Sequence, residues 1–308
     1  MQPHGIMFHH FHSAQHPAGQ DSISADQLAR IIARIGRARI LPARQWMRCA
    51  LTATLRPTDV CLTFDDNLQC QYEVALPVLE SFGLTAFWFV PTSVCQGKIE
   101  RLEVYRYFRS TRFERVEDFY HAFFEAVEAT EHAELVRSSL ARFEPREYLK
   151  PFPFYSDADR EFRFVRDEVL GPQRYVEVMD GMLARSGVDL LDVARRLWMN
   201  DPQLQHLHSM GHVVGLQSHT HPTRIERLSI DDQRKEYREN FEHLRGVLGE
   251  PPEAMSHPCN SYTRDTLSVL RELGISLGFR ANMEGGGGSE LEYPREDHAN
   301  LLSAAMAA

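Results

Sequence analysis

Short apolar runs, most followed by a loop and then a helical pattern, set the tightest limit on how this chain folds. The clearest runs are Ile6-Met7-Phe8, Val60-Cys61-Leu62-Thr63-Phe64, Thr85-Ala86-Phe87-Trp88-Phe89-Val90 (closed by Pro91) and His212-Val213-Val214-Gly215-Leu216. Weaker ones lie near Ala254-Met255, at 275–279 and at 291–293. Between them, residues 26–35, 72–82, 231–248 and 264–273 carry helical spacing. Runs this short fit strands, and their alternation with helices implies a parallel sheet with crossover connections. About seven such strands suit a barrel better than a short open sheet. The chain has 308 residues, 43% of them hydrophobic, enough to bury a substantial core.

One segment breaks this rhythm. From residue 98 to about 208 the chain reads as helix and loop, with an amphipathic stretch over 116–143, interruptions at Pro145, Pro151 and Pro153, and renewed helical spacing over 165–198. The expected organisation is therefore an α/β barrel built from residues 1–97 and 209–308, with a mainly helical insertion, 98–208, between the third and fourth strands. Loops at the carboxyl ends of barrel strands surround active sites. The insertion either shapes a substrate pocket or serves as a cap or oligomer contact. Apart from Gly285-Gly286-Gly287-Gly288 there is no low-complexity tract, and no repeat is visible.

The formal charge is −9, which disfavours nucleic acid as a partner. Arg30, Arg34, Arg37, Arg39, Arg44 and Arg48 form the one basic stretch, read as the solvated side of a helix and the loop after it, with contact to an anionic lipid or nucleotide carrier as the sharper alternative. Five cysteines at irregular spacing, without a CxxC pair, match neither a disulfide framework nor a zinc knuckle. The start lacks a basic region followed by an apolar one, and no run reaches the ~18 apolar residues of a membrane span. As written, the chain is expected in a reducing cytoplasm.

Polar groups cluster where the apolar runs end. Asp65-Asp66-Asn67 follows the second run, and paired acids there can divide labour, one binding a divalent metal while the other takes a proton from water. Taken alone, they would equally suit a turn or a helix start. Gln217-Ser218-His219-Thr220-His221-Pro222 follows the fourth run, and neutral imidazole suits zinc and neighbouring metals. His9-His10-Phe11-His12 follows the first run; Tyr293-Pro294-Arg295-Glu296-Asp297-His298 closes the last and reads by itself as a charged turn.

Together these stretches resemble the polysaccharide deacetylase family, carbohydrate esterase family 4, with NodB homology. Thr63-Phe64-Asp65-Asp66-Asn67 resembles its Thr-Phe-Asp-Asp-Gly motif. Gln217-Ser218-His219-Thr220-His221-Pro222 resembles its His-Pro motif, and Ser256-His257-Pro258-Cys259-Asn260-Ser261-Tyr262 loosely resembles its Pro-Tyr-Gly motif. Ile6-Met7-Phe8-His9 and Pro294-Arg295-Glu296-Asp297 resemble the opening and close of the subgroup that draws its catalytic acid from the N-terminal strand. The motifs are short, but their order and strand-end placement make the combination specific.

The resemblance implies a distorted (β/α)7 NodB-type barrel and metal-dependent hydrolysis of an acetyl group on a sugar. Carried over by position, Asp65 is the general base and His9 (or His10) the general acid. Asp66 and His221 are metal ligands, joined by Gln217 where the family has histidine. Arg295 pairs with Asp65, Asp297 orients a catalytic histidine, and the backbone near Cys259 supports the oxyanion. The metal is expected to be zinc, with cobalt or nickel as alternatives. Because a glutamine oxygen is a weaker ligand than imidazole for such metals, three outcomes are open: Gln217 ligates weakly, His219 swings in, or the site is lost. The retained base and acid favour a weakened site. The expected substrate is an acetamido sugar, nucleotide- or lipid-linked, in cell-surface polysaccharide or lipopolysaccharide synthesis. The alternatives are a catalytically impaired sugar-binding protein, a deformylase and, with nothing specific in its favour, a cyclic-amide hydrolase.

Overall fold

The structure, a computed structural model, describes residues 2–19, 21–149, 155–284 and 288–301. Pro151, Pro153 and Gly285-Gly286-Gly287 lie outside the described residues. Seven strands form one parallel sheet: β1 His4–Phe8, β2 Val60–Phe64, β3 Phe87–Val90, β4 Val213–Leu216, β5 Ala254–Ser256, β6 Leu277–Phe279 and β7 Arg295–Asp297, in the order β6-β5-β4-β3-β2-β1-β7. The two edges meet. Just before β7, Tyr293 bridges Phe279 of β6 in parallel, and its N–H donates to the Gly278 carbonyl at 2.9 Å. The result is a nearly closed (β/α)7 barrel.

Helices α1 Ala25–Ile35, α2 Ala43–Leu51 and α3 Leu76–Ser81 alternate with the first strands, α3 being preceded by a wide π-type turn, Gln71–Ala75. Two compact units follow from the contacts. One comprises residues 1–100 and 196–308, and the other residues 101–195. The second unit holds α4 Arg101–Arg112, α5 Val116–Glu128, α6 Ala133–Leu140, α7 Asp157–Phe164, α8 Gly171–Arg185 and α9 Leu190–Ala194, around an aromatic core of Phe119, Phe123, Phe162 and Tyr175. The barrel unit is completed by α10 Asp201–Ser209, α11 Ile230–Leu248 and α12 Arg264–Glu272. Among the described residues, no helix is long and apolar enough to cross a membrane.

Strand parity sorts the barrel's core into two layers. Ile6, Phe8, Leu62, Phe64, Trp88, Val90, Val214, Leu216 and Met255 pack outward against apolar residues of the surrounding helices, including Leu28, Leu79, Tyr237, Leu244 and Leu270. The alternate residues Cys61, Phe87, Phe89, Val213, Ala254 and Phe279 fill the interior with Trp46 and Met47 of α2. Two strand positions, Gly215 on the inner face and Gly278 on the outer, must be glycine. A Cβ on Gly215 would lie 2.5 Å from the Ala254 carbonyl oxygen, and one on Gly278 would lie 2.5 Å from that of Leu291, which runs past β6 as the barrel closes.

The last strand departs from expectation. It lies at Arg295–Asp297 rather than at 291–293, so the supposed charged turn is the strand that pairs with β1. Its charge hid it: Arg295 is buried at 1% exposure because its guanidinium is neutralised inside the barrel. The amphipathic stretch 116–143 is also broken, into α5 and α6, at a turn where the Thr130 side chain caps the Val127 carbonyl. In the basic stretch, Arg37 donates to the carbonyls of Ile40, Phe82 and Gly83 and Arg39 to that of Thr58, so these two cations hold loops.

Candidate active site

The inward parity of β2 and β4 continues just beyond their last residues, and that of β5 runs to its last residue. Cys61 and Thr63 lead to Asp65, Val213 and Gly215 lead to Gln217, and Ala254 leads to Ser256. These polar side chains therefore gather at the carboxyl end of the barrel, where the ladder ends and backbone groups are free to meet them.

Asp65 is the buried centre of the cluster, at 3% exposure. Arg295 reaches it across the interior in a bidentate pair, with Nη1–Oδ1 and Nη2–Oδ2 both 2.7 Å. The Ser256 hydroxyl donates to Asp65 Oδ2 at 3.1 Å while accepting from Arg295 Nη2 at 2.7 Å. Arg295 also donates to the Arg280 carbonyl at 2.6 Å and lies over the Phe89 ring. Burial pushes the Asp65 carboxyl up, but the Arg295 charge and its hydrogen bonds, with smaller help from His9 and Ser256, outweigh this and hold it below the ordinary carboxylate value.

Asp66 and Asn67 both adopt left-handed backbone, with φ of 79° and 58°. Asn tolerates this region better than most residues, which accounts for its standing where the resembling motif has glycine. The Asn67 side chain donates to the Met199 carbonyl at 3.2 Å, tying down the strand-like segment before α10. The turn directs Asp66 toward three side chains. Gln217 Nε2 donates to Asp66 Oδ1 at 2.9 Å, and Gln217 Oε1 accepts the Asp66 backbone N–H at 2.8 Å. His221 Nε2 lies 3.5 Å from Oδ1, and His9 Nε2 lies 4.0 Å from Oδ2.

Gln217, expected as a metal ligand, clasps Asp66 through both ends of its amide. The backbone N–H fixes which end of the amide is oxygen, because a flipped amide would point donor at donor. The oxygen is thus committed to the protein. His219 points elsewhere: the ring is buried, hydrogen-bonds Thr92 Oγ1 (3.0 Å), accepts from Lys98 Nζ (3.2 Å) and faces Glu239 at 3.4 Å. Asp66 and His221 remain. Two ligands ~2.1 Å from one tetrahedral zinc lie about 3.4 Å apart, and the 3.5 Å between Asp66 Oδ1 and His221 Nε2 suits that spacing. A carboxylate and an imidazole therefore fit a divalent ion here, as a two-residue set.

The structure brings Asp65, Asp66, Gln217, His221, His9 and Arg295 together. Asp297 stands apart: its carboxylate accepts the Ala299 N–H at 2.9 Å and lies 3.4 Å from Nδ1 of the buried His298. Cys259 is exposed in the turn Pro258–Asn260, with a left-handed φ of 49°. Three supporting residues were missed from the sequence. Ser256 completes the Asp65–Arg295 pair. Gln71 donates to the carbonyls of His9 (2.8 Å) and Asp65 (2.5 Å), joining the ends of β1 and β2. Asn240 of α11 accepts the Gln217 N–H at 3.0 Å and donates to Val90 and Thr92. A buried asparagine on an amphipathic helix was the one available hint.

A protein-family model described as polysaccharide deacetylase matches residues 192–278, the stretch that carries β4 to β6 and the Gln217–His221 motif. Over that stretch the chain is similar to the polysaccharide deacetylase family. Solved structures with similar folds include the Streptococcus pyogenes deacetylase PplD in complex with acetate (16% identity, 98% of this chain and 97% of that one, TM-score 0.57). IcaB from Ammonifex degensii is similar at 14% identity, covering 99% and 97%, with a TM-score of 0.55. The BpsB deacetylase domain from Bordetella bronchiseptica follows at 14% identity, 96% and 94%, with a TM-score of 0.53. At such identities the likeness concerns the fold. No curated protein sequence matches the chain.

Proposed function

We propose that this protein hydrolyses an N-acetyl group on a sugar, releasing acetate and a free amine. The observation that carries the reading is the buried Asp65 carboxylate, locked by Arg295 and Ser256 beside an Asp66 that faces both His221 and His9. Asp65 accepts the proton of the attacking water. Its depressed pKa keeps it ionised at neutral pH and makes it a weak base, so the water must be acidified by another group. A divalent ion held by Asp66 and His221, zinc in our reading with cobalt or nickel as alternatives, would supply that acidification and polarise the acetyl carbonyl. Gln217 keeps Asp66 oriented. His9 gives its proton to the departing nitrogen, without which the amine is a poor leaving group. The amide near Cys259 lends a hydrogen bond to the oxyanion.

The substrate in this reading is an acetamido sugar, nucleotide- or lipid-linked, met in the cytoplasm during bacterial surface-polysaccharide or lipopolysaccharide synthesis. The Gln217 clasp favours one rival, a sugar-binding protein with impaired catalysis. The test is release of acetate and amine from a panel of free, nucleotide-linked and lipid-linked N-acetyl amino sugars after loading with zinc, cobalt or nickel. Formyl analogues in the panel detect a deformylase. We expect turnover that Asp65→Asn lowers by roughly 10²–10⁴-fold. Sugar binding without turnover under any metal would favour the rival and end the enzymatic reading.

A further inference from the structure

Cys95, Asp201 and His243 come from three separate segments of the barrel unit: the single turn Val94–Gln96 after β3, the first residue of α10 and the middle of α11. Their ligand atoms all lie within 4.8 Å of one another, and among the described residues no other trio of Cys, His, Asp or Glu does so. His243 Nε2 is 2.8 Å from Asp201 Oδ1, and the Cys95 thiol lies beside the same carboxylate. The Asp201 side chain is 41% exposed and that of His243 13%, so the group opens to solvent on one side.

A nucleophilic role does not suit this arrangement. A reactive thiol needs a base free to take its proton, or a positive charge beside it, and His243 Nε2 is instead engaged with Asp201 Oδ1 at 2.8 Å. Here burial, and then the Asp201 charge, push the thiol up to about 12. A cation reverses that logic, because a carboxylate, a thiol and an imidazole converging from three segments are the donor types of zinc-class ions. We propose that Cys95, Asp201 and His243 form a binding site for a divalent cation of the zinc class, separate from the Asp65–Asp66 centre.

Binding exchanges protons for metal. The cation replaces the proton on Cys95 Sγ, which passes to solvent, and takes the lone pair of His243 Nε2, whose proton moves to Nδ1. Nδ1 faces the Gln96 amide at 3.4 Å, and rotation of that amide offers its oxygen to the new N–H. The ion then staples α10 and α11 to the turn after β3. Asn67, next to Asp66, donates to Cys95 Sγ at 3.5 Å, so the staple also steadies the catalytic loop.

The experiment is cobalt(II) titration of the metal-free full chain, followed in the near ultraviolet. A thiolate-to-cobalt charge-transfer band should appear and saturate at one equivalent. The Asp66–His221 pair contains no sulfur, so Asp66→Asn should keep the band. Cys95→Ser should abolish it. His243→Gln retains the thiol and should weaken cobalt binding by about tenfold or more, which keeps the test decisive if the serine variant fails to fold. Zinc should raise the unfolding temperature of the wild type, and its apparent affinity should rise about tenfold per pH unit, for one released proton. Absence of the band in the wild type, or its survival in Cys95→Ser, overturns the proposal.

Discussion

Gln217 holds Asp66 at both ends, its carbonyl oxygen taking the Asp66 backbone N–H and its amino group reaching Oδ1 of the carboxylate. A residue expected to bind a metal thus also orients the neighbouring carboxylate. It also places an N–H donor on the carboxylate oxygen that faces His221, in competition with any cation there.

This relationship separates two substitutions. In a Cys95→Ser background, which silences the second site, Gln217→His should tighten zinc binding by about tenfold or more, by adding an imidazole to Asp66 and His221. Gln217→Ala should leave zinc affinity within a few-fold of the parent. Competition against a chromophoric chelator measures both. A tenfold loss in the alanine variant would mean that Gln217 is a ligand after all.

The Asp65–Arg295 pair is fully buried, with 4% and 0% side-chain exposure. Removing one partner strands the other charge without water. Arg295→Met should therefore cost about 3–5 kcal/mol, read as a lower midpoint in urea unfolding. Asp65→Leu added to Arg295→Met should recover part of that loss, since no charge is then left buried. Equal or greater instability in the double variant would show that packing, not charge, dominates.

Two buried histidines should make the fold acid-sensitive. His212 Nδ1 accepts from both the Ala86 N–H and the Trp88 indole, which requires a neutral ring. His257 stacks on Tyr262 and bonds the Leu291 carbonyl. Burial lowers both to about 4, against ~6.5 in an unfolded chain. Between these values the unfolded state binds more protons, so stability rises with pH and is lost as pH falls from about 6.5 toward 4. The expected loss between neutrality and about pH 5 is on the order of 2 kcal/mol per histidine. Asp65, whose folded value lies below that of a free carboxylate, adds its own loss only at lower pH. Urea unfolding at two pH values checks this, and His212→Gln should remove about half of the drop.

Barrel closure should depend on Gly278. An alanine there would press on the Leu291 backbone, and we expect Gly278→Ala to cost about 1–3 kcal/mol. Gly246 of α11, with open space around its Cβ position, is the control: Gly246→Ala should be neutral or stabilise by up to ~1 kcal/mol. Thermal unfolding of the two variants gives the comparison.

Much of the barrel was legible because its strands are buried on both faces, so that β3 reads as an unbroken apolar run and β2 as one interrupted only by Thr63. Helices α1, α11 and α12 were legible from their amphipathic spacing, and Ser24 and Thr263 anchor α1 and α12 with capping boxes. β7 was not legible, since a strand whose buried member is an arginine carries no hydrophobic signal until its counter-charge is known.

By itself, the sequence determined the strand parity that puts Asp65, Gln217 and Ser256 on the inner face, and the order of motifs that resembles the polysaccharide deacetylase family. Only the tertiary structure decided what those side chains touch. Arg295 meets Asp65 across 230 residues of chain and Ser256 meets it across 191, because closing the barrel brings non-neighbouring strands face to face across its interior. The direction of the Gln217 amide and the meeting of Cys95 with Asp201 and His243 were likewise fixed there. Residue type states which donors and acceptors exist; the packed backbone settles which of them are already spent.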